Sequence, residues 1–122
     1  MSQTKELLAE LTALLGLERV TSDPTELLVF ECDGLTLSKH PPDAVVYPES
    51  TEEVAEIVRI CQRHTTPFLA RGAGTGLSGG AIAVQGGIVI QMSKMDRILE
   101  IDYEDEVAVV QPGLVNVELS LE

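Results

Sequence analysis

Ten consecutive residues, Arg71-Gly72-Ala73-Gly74-Thr75-Gly76-Leu77-Ser78-Gly79-Gly80, hold five of the ten glycines in this 122-residue chain. Backbone this rich in glycine bends tightly and lets a ligand come close, at the cost of side-chain order. Its N–H groups, with the Thr75 and Ser78 hydroxyls among them, make a surface suited to anionic oxygens. The flanks constrain it further. The apolar run Phe68-Leu69-Ala70 leads straight into the loop, and Gly87-Ile88-Val89-Ile90-Gln91 follows it. A loop strung between two buried strands has a fixed backbone, and fixed N–H groups bind anions well. A phosphate-bearing ligand is the first reading.

Three familiar patterns overlap the loop and fail on context. Gly74-Thr75-Gly76-Leu77-Ser78-Gly79 matches G-x-G-x-x-G, but a dinucleotide loop of the Rossmann kind needs an amphipathic helix directly after it. The stretch from Leu77 to Gln91 holds Gly79, Gly80, Gly86 and Gly87 and shows no helical stripe. Gly76-Leu77-Ser78-Gly79-Gly80 matches G-x-S-x-G, but no helix and no histidine follows Ser78, as a nucleophile elbow requires. No Lys-Ser or Lys-Thr pair closes the loop, so it is not a P-loop.

Bulk properties narrow the ligand. A formal charge of −12 with eight scattered Lys and Arg argues against a phosphate-backbone partner, and 3% aromatics leave no platform for stacking bases. No nucleic acid is expected. Cys32 and Cys61 are too few for a disulfide framework, and His40 and His64 lack metal-ligand spacing. No apolar run reaches membrane-spanning length, and residues 1–15 form a charged amphipathic stretch rather than a signal peptide. Two reduced thiols on an acidic surface fit a soluble, cytoplasmic protein.

The local patterns imply an α/β (α+β) fold. Leu7, Leu8, Leu11, Leu14 and Leu15 sit at helical spacing before Gly16, and a less regular segment with turn signals runs to His40. Residues 1–40 therefore read as an N-terminal helix and arm, and 41–122 as the folded domain. Within it, Ala44 to Tyr47 reads as a strand, and Ser50 with Glu53 opens a capped helix at Thr51. Val54, Ile57, Val58 and Cys61 stripe that helix until Pro67 bars it. Phe68 to Ala70 is the next strand, so a strand–helix–strand unit with a parallel pair of strands is expected. Further strands follow at Gly87–Gln91, Leu99–Tyr103 and Val107–Gln111, the last two joined by a turn at Glu104-Asp105-Glu106. Asn116 reads as a helix N-cap, and the chain ends within that element, as a truncated piece of a longer protein would. Tyr47 and Phe68 read as core residues.

The residues around the loop resemble a known family. Pro48 with the Ser50-capped helix, the run Pro67-Phe68-Leu69-Ala70-Arg71 through Gly80, and Val110-Gln111-Pro112-Gly113 are similar to the FAD-binding domain of the FAD-linked oxidases. These form the PCMH-type, or vanillyl-alcohol-oxidase, superfamily. Glu31-Cys32-Asp33-Gly34-Leu35 and Gln111-Pro112-Gly113-Leu114-Val115-Asn116 resemble its glycolate oxidase and D-lactate dehydrogenase branch.

That resemblance implies the first subdomain of a PCMH-type FAD-binding domain, with FAD as cofactor. It implies that Gly72, Ala73, Gly74, Thr75, Gly76, Leu77, Ser78, Gly79 and Gly80 hold the pyrophosphate, and Arg71 beside them reads from its chemistry as a cation near phosphate. Pro112 and Gly113 would lie near the flavin. The implied reaction is oxidation of a small 2-hydroxy acid such as glycolate or D-lactate, with partner subunits to carry electrons. No catalytic residue can be assigned, so this chain alone is expected to be inactive and to bind FAD weakly, and its uncovered face is expected to favour a dimer. The alternatives are a same-fold flavoenzyme of the UDP-sugar enolpyruvyl reductase kind, or a non-catalytic acidic interaction module.

Overall fold

A computed structural model describes residues 2–30, 41–73, 85–115 and 119–120 of the chain. Helix α1 (Ser2–Leu15) opens the fold and ends at Gly16, which takes φ +90° and donates its N–H to the Thr12 carbonyl at 2.7 Å. Strand β1 (Val20–Thr21) and the single-turn helix α2 (Pro24–Leu27) follow, the latter capped by the Asp23 carboxylate on the Thr25 N–H at 2.8 Å. Both lie in the segment whose sequence shows only turn signals.

Strand β2 (Ala44–Val46), helix α3 (Thr51–Arg63) and strand β3 (Phe68–Arg71) form the expected strand–helix–strand unit. Ser50 Oγ accepts the Glu53 N–H at 3.2 Å, while Glu53 Oε1 accepts the N–H of Glu49 at 2.8 Å. The capping box thus closes one residue earlier than its usual form. Strand β4 (Ile88–Gln91) completes the sheet, in the order β1-β2-β4-β3. β2 and β3 point the same way, as expected, but they are not neighbours. β4 lies between them, parallel to both, and β1 closes one edge antiparallel to β2.

Alternation along these strands builds two unequal cores. On one face Ala44, Val46, Ile88 and Ile90 meet Leu7, Leu11 and Leu15 of α1 and Ile57, Ile60 and Cys61 of α3. On the other face Val45 and Val89 pack with Leu27, Phe30, Tyr47 and Leu69. β4 is buried along its whole length, consistent with its place at the centre of a covered sheet. Phe68, expected in the core, is 44% exposed, because β3 is an edge strand.

A separate antiparallel pair, β5 (Ile98–Asp102) and β6 (Val107–Val110), forms the hairpin expected at Glu104–Glu106. Asp102 Oδ1 accepts the N–H groups of Glu104 and Asp105 at 3.0 and 3.1 Å, which explains the acidic turn. Leu99, Tyr103 and Val107 stay exposed. Asn116 lies outside the described residues. No described helix is long and apolar enough to cross a membrane, and no cluster of His, Cys, Asp or Glu among the described residues could hold a metal ion.

Candidate functional site

The face that carries Val45, Val89 and Leu69 continues two residues later into Tyr47, Gln91 and Arg71, because strand side chains repeat with period two. Arg71 and Gln91 are register partners at the C-terminal ends of β3 and β4. In open α/β sheets ligands bind just outside these strand ends, and a cleft of about 580 Å³ opens there. Phe30, Tyr47, Arg71, Gly72 and Ala73 line it together with Pro112, Gly113 and Leu114.

Charge is distributed unevenly. The chain carries 20 Asp and Glu, yet none lines the cleft among the described residues, where Arg71 is the one charged group. Its guanidinium carbon lies 5.2 Å from the centre of the Phe30 ring, and Nη1 points to the Phe30 carbonyl at 3.5 Å. Only 8% exposed, it is a buried cation held against the Phe30 ring. Burial, with the nearby Glu26 charge, pushes the Tyr47 phenol above its ordinary pKa, so it remains a neutral hydroxyl at pH 7.

Two glycine positions on the cleft have opposite reasons for being glycine. A Cβ on Gly113 would fall 1.9 Å from the Met92 carbonyl oxygen. The Gly113 N–H donates to the Met95 carbonyl at 2.8 Å. Gly113 is therefore needed for packing: it presses the Pro112-Gly113 turn against residues 92–95. At Gly72, by contrast, no described atom lies within 4 Å of where a Cβ would stand. Space is open there, at a residue that lines the cleft.

Of the residues expected to hold a cofactor, the structure brings Arg71, Gly72 and Ala73 together with Pro112 and Gly113. Gly74, Thr75, Gly76, Leu77, Ser78, Gly79 and Gly80 lie outside the described residues, as does Cys32. Sequence reasoning missed Gln91. Its signal was a polar residue closing the otherwise apolar Ile88-Val89-Ile90. Tyr47 is both a core residue and part of the cleft wall. Open backbone at Gly72, a buried cation and a wall with no carboxylate among its described residues fit a phosphate-bearing dinucleotide.

The relatives agree. The chain is 38% identical over 120 residues to the glycolate oxidase subunit GlcD of Escherichia coli (strain K12), covering 98% of this chain and 24% of that protein. Over 80 residues it is 40% identical to the probable mitochondrial D-lactate dehydrogenase of Danio rerio, covering 66% of this chain and 16% of that one. Its fold superposes with a TM-score of 0.87 on p-cresol methylhydroxylase with substrate bound, at 27% identity, covering 98% of this chain and 24% of that one. The chain thus spans about a quarter of the glycolate oxidase subunit's length. Residues 42–122 match the FAD binding domain family, so the chain belongs to that family, and its cofactor is FAD.

Proposed function

We propose that this chain supplies one wall of the FAD site in an FAD-linked oxidoreductase that oxidises a 2-hydroxy acid such as glycolate or D-lactate. The observation that carries the reading is the cleft at the ends of β3 and β4. In a strongly acidic protein it is lined by glycine backbone and one buried arginine, with no carboxylate among its described residues. The resemblance to a glycolate oxidase subunit and a D-lactate dehydrogenase supports the substrate class.

The chain's own residues bind and orient. The backbone of Gly72 and Ala73 would meet the pyrophosphate. Arg71 would offset its charge, held in place by Phe30 so that little side-chain freedom is lost on binding. Pro112 and Gly113 line the same cleft. Bound FAD would supply the two-electron acceptor for the hydride on the substrate's α-carbon, with the hydroxyl proton passing to a base and a 2-oxo acid as product. The cleft's described residues include no histidine and no carboxylate, so this reading places that base outside them. Electron-carrying partner subunits fit the "subunit" in the bacterial relative's name.

The test is anaerobic addition of glycolate or D-lactate to the product of the native reading frame. Loss of the flavin's visible absorbance with either acid is expected. A protein that holds FAD and is bleached by neither would refute the substrate class and leave the cofactor standing.

A further inference from the structure

Gln91 is one of two buried polar residues among those described, 8% exposed at the end of the central strand β4. Its Nε2 donates to the Gly72 carbonyl at 2.7 Å. That bond fixes which way the amide faces, since the flipped form would set two oxygens against each other. Oε1 is sealed from water and accepts no hydrogen bond. An unmatched buried acceptor is a standing cost, and a methionine of similar length would remove it without leaving a cavity. The unmatched Oε1 offsets what the Nε2 bond contributes to the sheet, so net stability gives little reason for glutamine here. What glutamine adds is the grip on Gly72.

Gly72 is where the glycine loop leaves β3. One register pairing and two hydrogen bonds define that departure. Arg71 pairs with Gln91 in register, the Arg71 carbonyl accepts the Met92 N–H at 2.9 Å, and the Gly72 carbonyl accepts from Gln91. With its carbonyl held toward β4, the first peptide of the loop has one orientation, and both of its residues, Gly72 and Ala73, line the cleft. We infer that Gln91 is a positioning residue for the cofactor. Its side-chain amide holds the Gly72 carbonyl, and so sets the Ala73 N–H, which points the opposite way across the same planar peptide, to meet the FAD phosphates. The inference rests on the reading of this cleft as the FAD site.

The test compares Gln91→Met with Val89→Ala, a core change on the same strand, in the product of the native reading frame. FAD affinity is read by flavin fluorescence and stability by the melting temperature of the FAD-free protein. Gln91→Met is expected to melt at or above wild type and to bind FAD about 10-fold more weakly, the worth of one well-placed hydrogen bond. Val89→Ala is expected to melt lower and to keep its FAD affinity while folded. Gln91→Met with wild-type FAD affinity overturns the inference and leaves the FAD site intact. Should Gln91→Met not fold, Gln91→Leu replaces it. If neither folds, the amide is a structural requirement and the positioning role is refuted. A wild-type protein that takes up no FAD refutes the reading of the site and this inference with it.

Discussion

Arg19 holds Glu53 at two points, Nη1 to Oε1 at 2.8 Å and Nη2 to Oε2 at 2.9 Å. The same guanidinium donates from Nε to the Leu15 carbonyl at 3.0 Å and from Nη1 to the Tyr47 carbonyl at 3.3 Å. One side chain thus joins the end of α1, the end of β2 and the first turn of α3. Both partners are about four-fifths buried, with side chains 19% and 22% exposed. Removing the arginine leaves Glu53 poorly solvated, which costs more than losing an ion pair in water. Arg19→Ala is expected to destabilise the protein by about 2 kcal/mol in urea unfolding at neutral pH. Arg19→Lys should recover less than half, because an ammonium cannot make the forked contact. A loss for Arg19→Ala of only about 0.5 kcal/mol would show the contact to be worth no more than an exposed pair.

The same contact makes stability depend on acid. The hydrogen bonds from Arg19 hold the Glu53 carboxyl below its ordinary value of 4.5, against a smaller opposing effect of burial. Glu10 is lowered as well, first by its hydrogen bond with His64 and then by Arg63, whose Nη1 lies 2.7 Å from Oε1. As the pH falls, the unfolded chain takes up these protons first, so protons favour unfolding. The stabilisation is present in full above 4.5 and is lost as the pH drops through the lower folded values. The urea midpoint should fall over that range, and Glu53→Gln should flatten the fall. A wild-type midpoint independent of pH between neutrality and pH 3 would contradict this.

Much of the fold was legible because its signals are local. The Ser50 cap, the stripe of α3, the apolar run of β4 and the acidic β5–β6 turn each announce themselves within a few residues. Strand order did not. Nothing in Ala44–Val46 or Phe68–Arg71 says that Ile88–Gln91 will come between them, since pairing partners are chosen by the tertiary fold. β1 has two residues, too few for any pattern. The site divides the same way. The glycine loop stood out from composition, whereas Gln91 gained meaning only once β4 lay beside β3 and its amide reached Gly72. Gly113, read from its resemblance as a residue near the flavin, is explained first by its contact with the Met92 carbonyl.

Cys61 is fully buried on the core face of α3, and burial pushes its thiol up to about 11. The thiolate is the reactive form. Against the ordinary 9.0, its thiolate fraction at neutral pH should be lower on the order of a hundredfold, before any steric shielding. In the native protein Cys61 should resist iodoacetamide under conditions that label an exposed thiol, and it should react once urea unfolds the chain. Mass analysis of the Cys61 peptide checks this. Rapid native labelling would mean that α3 opens far more readily than its packing implies.

The two kinds of glycine give the sharpest test of the site. At Gly87 φ is +84° and a Cβ would stand 2.1 Å from the Pro67 carbonyl oxygen. That carbonyl accepts the Ile88 N–H at 2.9 Å, so it cannot retreat without breaking the start of the β3–β4 ladder. Gly87→Ala should therefore cost about 3 kcal/mol or prevent folding, through strain and collision together. At Gly72 the backbone is not left-handed and nothing described crowds the Cβ position. Gly72→Val should leave the melting temperature of the FAD-free protein within about 2 °C of wild type, as a tolerated loop substitution does. The branched side chain would, however, occupy the space through which phosphate oxygens reach the loop's N–H groups, at about 2.7–3.2 Å. Flavin content of the purified product of the native reading frame should fall to a small fraction of wild type. If Gly72→Val retains its full flavin content, the loop's first peptide does not meet the cofactor, and the phosphates must sit further along the chain than Gly72.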